Sequence, residues 1–193
     1  MSIGIEANKE KIGVLLAYLS SQIPNLNLRK LIKLVFLVDE LYVKENGYPL
    51  TWLDYFAWAK GPVAEEIYNI KNGLFSEYVK ATKNSKDGKY YIYPVSGFYL
   101  AGGLELFGEY HIEVIDSIIS KYGNLSADQL SEITHEKNSV WSRTVEDNKL
   151  TFNKDGKSSV KIDLISTIRD DEEKYFSYLD ALENTQFAAH LNK

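Results

Sequence analysis

Between Leu28 and Glu45 the chain reads LRKLIKLVFLVDELYVKE, and its apolar residues do not keep to a single stripe. Leu28, Leu31, Val35, Val38 and Tyr42 line one side of a helix, and Leu34, Leu37 and Leu41 line another. A helix apolar on most of its sides lies in the middle of a protein. This segment therefore dictates a fold assembled around one central helix. Asn27 stands where a cap is expected, and Asn46-Gly47 closes the run. The polar strip carries Arg29, Lys30, Lys33, Glu40 and Lys44.

The flanking elements follow the same logic. Ile12, Leu15, Leu16, Leu19 and Ile23 predict a first helix over about Lys9 to Ser21. Pro49 to Trp58 reads as a compact connection, a short helix or strand. In AWAKGPVAEEIYNIKNG, Gly61 takes the position of a cap and Pro62 the first helical position, with Glu65 and Glu66 in the first turn. That reading predicts a helix ending at Asn72-Gly73. Asp87-Gly88 signals a hairpin, with Val79 and Ala81 alternating on one arm and Tyr91, Tyr93 and Val95 on the other. A long helix is expected over about Glu105 to Tyr122, stopped by Gly123, with FYLAGGLELFGEY before it read as a loop. Two short helices follow within LSADQLSEITHEKNSVWSRT, the first capped by Ser126. KLTFNKDGKSSVKI reads as a second hairpin. Asp170 and Glu173 have capping-box spacing before a last amphipathic helix with Tyr175, Phe176, Leu179 and Leu182, its tail fraying after about Phe187.

Helices outnumber hairpins, and strands do not alternate with helices, so the expected class is α+β and predominantly α-helical, with one or two small β-hairpins. The 193 residues suit one domain, and 45% hydrophobic residues supply a full core. A hairpin insert is placed at 144–161 and a helical segment at 162–193, both outside residues 9–143, which are the part best matched by the family resemblance that the motifs below carry.

Composition restricts the chemistry. There is no cysteine, hence no disulfide, thiolate zinc site or cysteine nucleophile. A net charge of −5 removes whole-molecule attraction to nucleic acid or anionic membrane. No apolar stretch is long enough to span a bilayer, and the expected location is the cytoplasm. The histidines are His111, His135 and His190. Glu132 and His135 form one Glu-x-x-His pair, whereas carboxylate-bridged metal sites use two. No nucleophile elbow, zincin or Walker string occurs. Expected are no metal, no cofactor and no enzymatic activity. The pair of helices over 126–145, with Ser139, Ser142 and Arg143 on the second, offers a DNA-binding regulator as an alternative, with the Lys83/Lys86/Lys89 hairpin as a wing. Its acidic surroundings, Glu132, Glu136, Glu146 and Asp147, weigh against tight binding.

Several short motifs stand in a fixed order: Lys30-Leu31-Ile32-Lys33-Leu34, Asn46-Gly47-Tyr48-Pro49, Ala57-Trp58-Ala59-Lys60-Gly61-Pro62-Val63 and Ile67-Tyr68, then Leu130-Ser131-Glu132-Ile133-Thr134-His135 and Trp141. In this order they resemble the Panacea domain family, the SocA-like, phage-associated antitoxins of bacterial toxin–antitoxin systems. Ile133 stands where the family pattern has Leu, and Val140 where it has Pro. The resemblance implies a mostly helical domain that neutralises a cognate toxin by direct contact, in some relatives as an adaptor for a AAA+ protease. It marks Lys30, Lys33, Trp58, Gly61, Pro62, Val63, His135 and Trp141 as signature positions, read as supports of the fold. Tyr42, Tyr48, Tyr55 and Tyr68, with the N-terminal helices and the Gly-Pro segment, are the candidate toxin-binding surface. Oligomeric state is left open.

Overall fold

The computed structural model describes residues 7–95 and 103–191, with side chains described to residue 187. The start of FYLAGGLELFGEY and the side chain of His190 lie outside the described residues, as does part of the tail expected to fray.

Helix α1 (Lys9–Gln22) opens on Asn8, whose side chain accepts from Lys11 N. Helix α2 (Leu28–Asn46) is capped as its sequence demands: Asn27 accepts from Lys30 N, and Gly47 ends it at φ 91°. The centre of the molecule is α2. It touches α1, the strands, and the helices α3 (Glu65–Tyr68), α4 (Glu109–Tyr122), α5 (Ala127–Thr134) and α7 (Glu172–Leu191). Leu31, Leu34, Val35 and Val38 are sealed from water. Helix α6 (Val140–Asp147) starts on Ser139, and α5 starts on a Ser126–Gln129 capping box.

Two small antiparallel sheets complete the α+β fold. Strands β3 (Val79–Lys83) and β4 (Tyr90–Pro94) form the hairpin predicted around Asp87-Gly88. Its inward residue on β4 is Ile92, not the alternating tyrosines: Ile92 is buried and Tyr93 is exposed. The outer edge of β4 is held by Ile92 N donating to Leu26 O. That pairing fixes the register which turns Ile92 inward.

Three expectations are corrected. Gly61 and Pro62 do not start a helix. They begin strand β2 (Gly61–Ala64), which pairs with β1 (Tyr55–Trp58) in the register Tyr55↔Ala64 and Trp58↔Gly61. Gly61 has φ +99°, outside the extended region that a cap residue adopts. Pro62 fits a strand with a free edge, where its missing N–H breaks no ladder. The helix starts later, at Glu65, and becomes a 3₁₀ turn at Asn69–Asn72. Second, residues 149–162 do not form their own hairpin. They lie along the free edge of β1, with Ala57 N donating to Val160 O and Ile162 N donating to Tyr55 O. The Asp155-Gly156 turn is present, but β1 offers the arm after it a better partner than the arm before it. Third, Glu105 belongs to a separate 3₁₀ turn (Gly103–Leu106), and α4 begins only after Gly108.

Candidate functional site

The signature residues are far apart in the chain and meet around the β1–β2 turn. Lys33 projects from α2 beneath it. Its ammonium donates to the Pro62 carbonyl at 2.9 Å, and the residue is 1% exposed. Gly61 is the pivot. A Cβ there would stand 2.6 Å from Lys33 Nζ, 2.8 Å from Thr134 Oγ1 and 3.0 Å from His135 Nε2. No side chain fits between these groups, and the positive φ independently favours glycine.

The turn is held from the other side by α5 and α6. Trp141 Nε1 donates to the Trp58 carbonyl at 2.9 Å. The Trp141 ring lies flat on His135, with centroids 3.7 Å apart and planes 9° apart. Ser139 donates to the Thr134 carbonyl, which ties the start of α6 to the end of α5. Lys30, one turn before Lys33, donates to the Gly123 carbonyl at the end of α4. Trp58, Pro62 and Val63 are buried, and His135 and Trp141 are half-buried.

The electrostatics of this cluster are unusual for a lysine. Burial pushes Lys33 down to about 7, and the nearby Arg29 charge acts in the same direction. Burial, then the Lys33 charge, also lowers His135. At neutral pH the site therefore holds a proton in balance between folded-state demands, beneath a turn of main chain. His135 Nε2 and Trp58 Nε1 are buried without a hydrogen-bond partner.

Lys30 and Lys33, read from the sequence as members of the polar strip of α2 and as supports of the fold, are both buried, because each long side chain finds a main-chain carbonyl inside the protein. The four candidate contact tyrosines do not form one surface. Tyr42 is buried, edge-on to Tyr48 at 5.5 Å and stacked against His111. Tyr55 is buried, its hydroxyl donating to Asp39 at 2.7 Å. Both are core residues, because a phenol that reaches a buried acceptor is stable inside. Tyr48 and Tyr68 are half-buried and lie in different places, Tyr68 against Trp58 with centroids 5.0 Å apart.

Asp39 was missed by the sequence reading. It is fully buried and accepts from Thr51 N, Thr51 Oγ1 and Tyr55 OH. Burial raises its pKa, and these hydrogen bonds oppose the rise. The available signal was a carboxylate set directly after Val38 in a helix apolar on most sides. In the would-be recognition helix, Ser139 is the cap and Ser142 is buried, its hydroxyl donating to Glu136 O. Neither hydroxyl is presented for reading a base edge.

A second feature adjoins the turn. A cleft of about 690 Å³ opens between the start of α2, the β1–β2 turn, Tyr68, the start of α5 and the Asn153–Lys157 turn. Lys33 and Trp58 lie in its wall. Among the described residues, no group of three or more His, Asp or Glu is placed to hold a metal ion. None of the described helices is long and apolar enough to cross a membrane.

No curated protein and no solved structure matches the chain. A family model does: the one described as antitoxin SocA-like, Panacea domain, matches residues 31–142, which run from α2 into α6 and contain the turn with the groups that hold it. With more than half of its length matched, the chain belongs to the antitoxin SocA-like, Panacea domain family.

Proposed function

We propose that the protein is the antitoxin of a toxin–antitoxin pair and neutralises its cognate toxin by direct contact, without catalysing a reaction. The observation that carries this reading is the family match over residues 31–142. The geometry supports a binding role. The signature residues are spent on internal bonds: Lys33 to Pro62, Trp141 to Trp58, and Gly61 wedged above them. They define a scaffold and leave recognition to other surfaces.

Four of the eight exposed large apolar side chains among the described residues gather on one helix and support placing the contact there. Tyr175, Phe176, Leu179 and Phe187 all belong to α7. Phe176 is 63% exposed and Phe187 65%. Large exposed aromatic residues at helical spacing are the kind of anchor that dominates protein–protein binding energy. The toxin contact is therefore assigned to the outer face of α7. This reading leaves out Tyr42 and Tyr55, which are buried.

The test is co-expression with the reading frame beside this gene. The neighbour alone should arrest growth. This protein should restore growth and co-purify with it. A neighbour that is harmless, or toxic but neither bound nor rescued, removes the assignment.

A further inference from the structure

The cleft beside the turn has a charge that the whole chain does not. The chain carries −5, yet cations dominate the cleft wall: Arg29 from α2, Lys60 from the β1–β2 turn, Lys71, and Lys154 and Lys157 from the 153–157 turn, with Lys89 at its side. Asp128 and Asp155 are its carboxylates. Asp128 is already paired with Arg29, and Lys89 with Asp87. Among the described residues, the other lysines have no carboxylate within ion-pair distance.

The wall also offers aromatic faces. Trp58 and Tyr68 meet edge to face. Lys71 lies 3.6 Å from the Tyr68 ring centre, and Lys157 lies 4.9 Å from that of Trp58 and 5.2 Å from that of Tyr68. Two donors of the same wall, Arg29 Nε and Trp58 Nε1, are buried and have no acceptor. The N-termini of α2 and α5, at Leu28 and Ala127, also line the cleft and add positive potential.

We infer that this cleft binds a small phosphorylated molecule with a planar ring, in chemical class a nucleoside phosphate. The phosphate answers the lysines, and the ring answers Trp58 and Tyr68. A volume of about 690 Å³ falls in the range of small-molecule sites. An inorganic anion would use the cations and leave the aromatic wall idle. This inference goes beyond the antitoxin reading and does not depend on it.

The test is calorimetric titration of the full chain with the common ribonucleoside triphosphates, their nucleosides, pyrophosphate and an oligoglutamate peptide. At least one triphosphate should bind with Kd below about 1 mM. Its nucleoside and pyrophosphate should each bind at least about tenfold more weakly. The double variant Lys71→Ala/Lys157→Ala should weaken triphosphate binding by at least about tenfold with an unchanged circular dichroism spectrum, since both lysines lie at the cleft surface. Lys80→Ala, an exposed lysine of β3 away from the cleft, should leave binding unchanged. The inference is overturned if no triphosphate binds below about 1 mM. It is equally overturned if pyrophosphate or the peptide binds as tightly as the triphosphates, or if the double variant binds as the parent does.

Discussion

Helices α2 and α7 are nearly the same length, 19 and 20 residues, and both are rich in apolar side chains. Thirteen residues of α2 are buried. Of the α7 side chains described, to residue 187, none is. Helix α2 is packed against other elements over most of its surface, and even its charged members Lys30, Lys33 and Asp39 have protein partners. Helix α7 docks through residues of its first half. Tyr178 stacks on Trp52 at 5.9 Å, and the Lys174 carbonyl closes over Gly47. The lesson is that apolar content says how much surface a helix wants covered. It does not say whether this chain provides the cover.

A matched pair of substitutions breaks or sustains that contrast most directly. Leu34 is 0% exposed and Leu179 is 40% exposed. Leu34→Ala should destabilise the fold by about 4 kcal/mol, through lost transfer energy and the cavity left behind. Leu179→Ala should cost less than about 1 kcal/mol. Urea melts of both variants measure the difference. Equal losses would mean that α7 is covered in solution by a surface that the isolated chain does not show.

Next in size is Trp141→Ala, which removes the clamp on the β1–β2 turn. Trp141 is half-buried, so the loss should be about 2 to 3 kcal/mol, made of ring packing on His135 and the bond to the Trp58 carbonyl. Trp141→Phe keeps a ring on His135 and loses only the hydrogen bond, at about 1 kcal/mol. If both variants melt with the parent, the turn stands without its clamp and Trp141 serves another purpose.

Lys33 gives a pH signature that α7 cannot. Its folded-state pKa is lowered to about 7 from 10.5. Between those values the unfolded chain holds a proton that the folded chain has released, so the unfolded state binds more protons and stability rises with pH. From pH 7 to pH 9 the gain should be about 2 kcal/mol, since one proton contributes about 1.4 kcal/mol per pH unit once titration is complete. Arg29, which lowers the pKa of Lys33, stays charged across this window, and His135, lowered below its ordinary 6.5, stays neutral. Lys33→Met should abolish the rise. A flat profile in the parent, or the same rise in Lys33→Met, would place the ammonium in contact with water.

The sequence was most legible where local chemistry and burial agree. The caps at Asn27 and Ser126, the stop at Gly47, the hairpin at Asp87-Gly88 and the central place of α2 were all readable from a few residues. It misled where a local signal was overruled by a distant partner. Gly-Pro-Val-Ala-Glu-Glu reads locally as a helix start, but β1 pairs with its first half. The second Asp-Gly turn reads as a hairpin, but β1 takes its second arm. Lys30 and Lys33 read only as part of a polar strip, because the carbonyls that receive them, at Gly123 and Pro62, are far away in the chain. The motifs named the residues of the turn; what each touches became visible only in three dimensions.

The smallest expected effect on stability carries the largest consequence for function. Phe176 is 63% exposed on α7, so its ring contributes little to the folded chain. Phe176→Ala should shift stability by no more than about 0.5 kcal/mol. If the outer face of α7 receives the toxin, the same substitution should weaken toxin binding by about 2 kcal/mol, because an aromatic anchor loses its burial in the complex. Phe36→Ala in α2 is the reverse control: Phe36 is 2% exposed and packs edge-on against Tyr55, so its loss should unfold part of the protein and impair rescue only through abundance. Rescue of growth, scored at equal soluble protein, separates the two. A Phe176→Ala variant that binds and rescues as the parent does would move the toxin contact away from α7. Loss of rescue at unchanged melting temperature would fix it there, on the helix that the fold leaves open.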